Sequence, residues 1–183
     1  PYRMQLMRQL ELSFHVSAPL YKEQMDANVS AELLVKHQAL QNAKSISNKY
    51  DDALIIGADQ VFVDARHRVL GKPGTPQKAV AQLMEMQGRK HTFYTGLAIH
   101  NSASGESITE FETFSVTMRE LTEKQIKHYV DRENPVDCAG SFKIEGLGIA
   151  LMEKMAGNDY TSLIGLPLIL LVNMLNHFDI EVL

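Results

Sequence analysis

Two β-rich runs, His91–His100 and Ser107–Arg119, flank the turn-prone Asn101–Gly105 and constrain the fold more than any other segment. Long runs rich in β-branched and aromatic residues, joined by a short polar turn, predict a large antiparallel hairpin. Ala53–Ile56 is a continuous apolar run with β-branched residues, read as a buried strand. Val61–Val63 and Arg68–Leu70 have the look of a second, short hairpin. Leu12, Phe14 and Val16 alternate as in a strand.

Helical signals alternate with these. Leu6, Met7 and Leu10 share one face of a short helix. Ser30 caps a helix with Glu32 in its first turn and Leu33, Leu34, His37, Leu40 and Ala43 at helical spacing. Thr75-Pro76 opens another, which Gly88 ends. Thr122 and Gln125 form a capping box, and Leu166-Pro167 opens a last helix. Helices mixed with short buried strands and a long hairpin predict an α/β domain with a mixed sheet. With 183 residues and no linker or repeat, one domain over 1–183 is expected.

Charge and cysteine usage narrow the function classes. The net charge is −4 and no Lys/Arg run exists, so neither nucleic acid nor an anionic membrane is an expected partner. The longest apolar run, Leu163–Val172, is interrupted by Gly165 and Pro167 and is too short for a bilayer. A lone Cys138 excludes an internal disulfide framework and fits a reducing, cytoplasmic setting. The seven histidines show no HExxH and no metal-type pairing, and no Gly-x-Ser-x-Gly elbow is present.

The chemistry-bearing residues are few. Asp59 is read just past a buried strand, where open α/β sheets place ligands, and a carboxylate there can hold a divalent cation or take a proton from water. A turn Asp bonding its own backbone is the other reading. Lys72 sits between Gly71 and Pro73, which holds it away from helical conformation; its ammonium suits phosphate oxygens, or it is a solvated turn lysine. Residues 137–148, DCAGSFKIEGLG, carry three glycines and Glu145 in a loop that matches neither a P-loop nor a dinucleotide fingerprint.

Five segments in register resemble the Maf family of nucleotide pyrophosphatases: IIGADQ (55–60), GKP (71–73), HTFYTGLAI (91–99), DCAGSFKIEGLG (137–148) and LIGLPL (163–168). CAGSFKIEG together with FYTGLA is similar to the branch that hydrolyses 7-methyl-GTP, the other branches usually carrying Gln where Glu145 stands. The resemblance implies a three-layer α/β sandwich like the inosine triphosphatases. It implies hydrolysis between the α- and β-phosphates of a nucleoside triphosphate, with Mg²⁺ or Mn²⁺ required. By the same resemblance Asp59 is the catalytic acid site and a metal ligand, Lys72 a phosphate-contacting lysine, and Glu23 an acid near the metal. Arg3 matches an arginine of the family's phosphate segment, Gln60 a position that shapes specificity, and Tyr2 and Glu145 are placed to meet a positively charged 7-methylguanine. Without the resemblance, Tyr2 reads equally well as a core aromatic.

The chain departs from the family pattern at Met4, where a second arginine is usual, at Asn42, where a lysine is usual, and at Lys22-Glu23, where Asp-Glu is common. The family's Leu-Ala-Ser-x-Ser strand is not in the sequence, so the native protein is expected to begin about ten residues before Pro1, the length of one strand and a turn. Met4 and Asn42 motivate one alternative, a non-catalytic nucleotide-binding or cell-division regulator on the same fold; a dTTP/UTP pyrophosphatase is another. The hairpin offers sheet edges on which a second copy can pair, which leaves a homodimer open.

Overall fold

The computed structural model describes residues 2–22 and 29–183. Its five strands are β1 (Leu54–Val63), β2 (Val69–Leu70), β3 (Lys90–Asn101), β4 (Ser107–Met118) and β5 (Met152–Gly157), in the order β2-β1-β3-β4-β5. The helices are α1 (Tyr2–Met7), α2 (Ala31–Lys44), α3 (Pro76–Met86), α4 (Glu123–Glu133), α5 (Thr161–Ile164) and α6 (Leu168–Asn176). The α/β class expected from the sequence holds. The described pairings, Phe62↔Leu70 between β1 and β2 and Phe114↔Gly157 between β4 and β5, are antiparallel, and no parallel pair is among them. The expected long hairpin is β3-β4: Asn101 N–H donates to Glu106 O at 2.9 Å, and Asn101 Oδ1 accepts from Ala103 and Ser104 N–H to close the turn. β1 flanks β3, and β5 pairs with β4 over Phe114–Met118, so among the described pairings Ser107–Thr113 keeps an outer edge.

The chain divides into two compact units, one of residues 1–60, 94–113 and 159–183, the other of 61–93 and 114–158. The first unit is three-layered. Strand residues alternate between faces, so Gly57 and Gly96 point to one face and Ala58, Leu97 and Ile99 to the other. On the first face lies α2, started by Ser30 Oγ accepting from Leu33 N–H. Its backbone rests directly on the strands: a Cβ added to Gly57 would collide with Ala39 O and lie 2.8 Å from Ala43 N, and one added to Gly96 would collide with Val35 O. On the second face Ala58, Leu97 and Ile99 pack with Leu6, Leu168, Leu171 and Leu175, so α6 covers it.

Asp159 ties α5 to α6. It is 5% exposed, and its carboxylate accepts from Thr161 N–H and Ile169 N–H, both at 2.8 Å, while Thr161 Oγ1 accepts from Leu168 N–H at 2.8 Å. Residues 12–16 do not form the strand that their alternation predicts. A strand exists only by pairing, and no described strand pairs with this segment.

In the second unit α3 packs on α4, and Phe62, Phe93 and Phe142 form an aromatic cluster with centroids 4.7–5.6 Å apart. Thr75 caps α3 with Pro76 at its first turn, and Thr122 and Gln125 close the capping box of α4, both as expected. Asp64 folds the β1-β2 turn by accepting from Arg66 and Arg68 N–H, each at 2.9 Å.

His91, 1% exposed, accepts at Nδ1 from Ala65 N–H (3.2 Å), so Nε2 carries the proton it donates to Met86 O (2.7 Å). Burial pushes its pKa below the ordinary value, so the unfolded chain binds this proton more readily than the folded one. The stabilising contribution of neutral His91 is therefore full above the ordinary histidine pKa of about 6.5 and is lost as pH falls through the lower folded-state value. Denaturant titrations between neutral and mildly acid pH should show a steeper loss of stability in the parent than in His91→Gln; equal slopes would refute this.

Candidate active site

β1 carries the first group of expected residues. Asp59 lies inside this strand, not past its end as the sequence reading had it. The strand continues because Val61–Val63, read as part of a separate hairpin, extend the same strand to meet β2. By alternation Asp59 shares the face of Gly57, and its side chain is buried at 7% exposure. The peptide before it is anchored twice: Ala58 O accepts from Arg3 Nη1 at 2.9 Å and from Asn42 Nδ2 at 3.4 Å. Asn42, at the position where a lysine was expected, thus bonds the backbone next to the acid.

Gln60 faces the other way. Its amide donates to Thr95 Oγ1 (2.8 Å) and Ser162 O (2.7 Å), and Thr95 Oγ1 donates to the same Ser162 O. Gly165, at φ 106°, separates Gln60 from Arg3: a Cβ there would sit 3.3 Å from Arg3 Nε and 3.8 Å from Gln60 Oε1. Tyr2, at the start of α1, is 50% exposed and not a core aromatic. The structure therefore places Arg3 and Gln60 on either side of Gly165, with Asp59 on the opposite face of β1 from Gln60.

The first unit also holds a cavity of about 840 Å³, lined by Arg3, Met4, Phe14, Asn42, Ile56 and Leu166 among others. Its walls are mostly apolar and Asp59 is not in them, so it does not suit a triphosphate.

Lys72 and Glu145 belong to the second unit, and both are exposed. Lys72 sits in the turn between β2 and α3, with Pro73 buried beneath it. The turn is fixed by Gly74 N–H, which donates to Val136 O at 2.9 Å. Glu145 rides a loop held to α4 on both sides: Lys143 N–H donates to Tyr129 OH (3.0 Å), and Leu147 N–H donates to Glu133 Oε1 (3.1 Å). Lys143 Nζ donates to Glu133 O at 3.2 Å and lies 3.8 Å from the Asp137 carboxylate. Burial first, with the Glu133 charge adding, holds the Tyr129 phenol protonated well above its usual range. The Asp137 carboxyl is held below the usual range, first by a backbone N–H of its own and further by Lys143 and Lys72. Cys138 is pushed up to about 11 by burial and then by Asp137, which leaves it a thiol at neutral pH.

Tyr129 and Glu133 escaped the sequence reading, because nothing in the helix pattern of α4 marks which residues reach the loop. Glu23 lies outside the described residues. Among the described residues no three His, Cys, Asp or Glu side chains gather as a metal cluster. The donor chemistry still suits a hard divalent cation, since Mg²⁺ is commonly bound by one or two carboxylates plus substrate phosphates.

A family model described as Maf-like protein matches residues 1–178. The 7-methyl-GTP pyrophosphatase of Syntrophotalea carbinolica is 63% identical over 183 residues, covering 100% of this chain and 93% of that protein. Those of Aliivibrio fischeri and Colwellia psychrerythraea are 46% and 44% identical, each over all of this chain and over 94% and 91% of their own lengths.

Proposed function

The chain belongs to the Maf family, and from that membership we propose that it is a hydrolase cutting 7-methyl-GTP between its α- and β-phosphates to release pyrophosphate. The observation that carries the reading is the 63% identity, over the whole chain, to a protein named for this activity. The exposed Glu145, on a loop clamped to α4 at both ends, supports the choice of base.

The proposed mechanism assigns each residue a task its chemistry fits. Asp59, a carboxylate buried in β1, accepts the proton of the attacking water, and it and Glu23 are the residues that would hold a divalent metal. Lys72 and Arg3 offset the charge that develops on the leaving pyrophosphate. Arg3 Nη1 donates to Ala58 O, which holds the guanidinium against the β1 backbone. The family's divalent metal, Mg²⁺ or Mn²⁺ in this reading, supplies Lewis-acid stabilisation of phosphoryl oxygens when bound. Gln60 shapes specificity in this reading, and its amide also fixes the backbone around 162. Tyr2 offers an exposed π-face to the cationic ring. A cytoplasmic setting, resting on the lone Cys138, completes the reading; among the described residues no helix is long and apolar enough to cross a membrane.

The assay is pyrophosphate release, read after conversion to phosphate, over a nucleotide panel with Mg²⁺ or Mn²⁺. Cleavage of 7-methyl-GTP no faster than of GTP, dTTP and UTP would overturn the base assignment. Glu145→Gln should lower the 7-methyl-GTP over GTP preference about fivefold, the equivalent of about 1 kcal/mol between unit charges 4 Å apart in water. An unchanged preference would remove Glu145 from base reading. A binding-only protein remains the second reading, motivated by Met4 and Asn42; a nucleotide-induced thermal shift without turnover would favour it.

A further inference from the structure

Gln82 of α3 was absent from every sequence argument above, yet it bonds both loops that carry the second unit's expected site residues. Its Nε2 donates to Gly71 O at 3.3 Å, the carbonyl just before Lys72. Its Oε1 accepts from Ser141 Oγ, four residues before Glu145. Ser141 is fully buried and holds φ 62°, directly after Gly140 at φ 73°. Left-handed backbone is unfavourable for serine, so this turn persists only where its surroundings impose it. Two contacts do so. Gly140 is pressed so closely on Phe62 that an added Cβ would lie 2.9 Å from the ring, and the Ser141 hydroxyl is held by Gln82. The direction of this turn sends Phe142 into the aromatic cluster and fixes where the chain leaves toward Glu145.

We propose that Gln82 is a positioning residue that sets the spacing of Lys72 and Glu145, and so couples the grip on the triphosphate to the choice of base. The inference rests on the function proposed above. Its two bonds are chemically distinct, which makes them separable. Gln82 donates toward Lys72 and accepts from the Glu145 side. Glutamate at this position keeps the acceptor for Ser141 and loses the donor to Gly71. Alanine at 141 does the reverse.

The test measures kcat and KM for 7-methyl-GTP and GTP, with a thermal melt of each variant. Gln82→Glu should raise KM for both nucleotides about threefold to tenfold, the worth of one net hydrogen bond, with their preference ratio unchanged. Ser141→Ala should lower the ratio by a similar factor and leave the KM for GTP unaltered. Gln82→Leu should show both losses. The inference is overturned if Gln82→Glu and Ser141→Ala alter the two quantities alike, if they alter neither, or if they lower only the melting temperature. Glu145→Gln run alongside separates the failures. If it leaves the ratio intact, base reading by Glu145 is wrong, while the KM arm of Gln82→Glu still decides the tie to Lys72. If it lowers the ratio and Ser141→Ala does not, the fault lies with Gln82.

Discussion

Replacing Asp59 with asparagine is expected to lower kcat for 7-methyl-GTP about 10²–10⁴-fold, the usual contribution of a positioned general base. The substitution is nearly isosteric, and it removes a charge from a side chain only 7% exposed in the middle of β1. The side chain keeps its size and shape, so the variant should remain folded, and its melt is measured beside its turnover. The bonds from Arg3 and Asn42 to Ala58 O involve main chain on the acceptor side and survive the change. Loss of turnover with an intact melt is therefore the signature of a chemical role. A variant that hydrolyses at the parental rate would sink the assignment, and one that unfolds would show Asp59 to be structural.

The second large effect is on stability. Gly57→Ala should destabilise the protein by about 3 kcal/mol, the upper part of the usual range for overpacking. In a chain of this size that corresponds to a melting temperature lower by about 6–12 °C. The reason is that the new methyl would meet main chain: Ala39 O, with Ala43 N at 2.8 Å and Ala43 Cβ at 3.0 Å. Gly71→Ala is the matched control. Nothing lies within 4 Å of a Cβ there, so its effect on stability should stay within about 0.5 kcal/mol. Equal melting temperatures for the two variants would mean that α2 does not rest on β1 as described.

What could be read from the amino-acid order was whatever depends on neighbours along the chain. The caps at Ser30, Thr75 and Thr122 and the hairpin turn at Asn101 were legible, because each is a local hydrogen-bond arrangement. β5 was missed: Met152–Gly157 carries no β-branched residue, and its strand identity comes from pairing with β4. The placement of Asp59 was one strand segment off, because a glycine and an acid look like a turn until β2 is seen to extend the ladder. The family resemblance pointed to Lys72 and Glu145, but the residues that bond their loops, Gln82, Tyr129 and Glu133, lie distant in sequence and left no local trace. Gly57 and Gly96 did leave one. A glycine inside a strand often marks a close backbone approach, and that signal was available in both runs.

The way α2 lies on Gly96 has a genetic corollary. The obstacle to any side chain at residue 96 is the helix backbone itself, Val35 C and O and Lys36 N. Trimming a neighbouring side chain cannot make room, since the three atoms nearest the new Cβ are all main chain. Compensatory mutations within α2 should thus be absent from a suppressor screen of a Gly96 variant. Recovery would come from true reversion, or from unrelated changes that strengthen the protein as a whole.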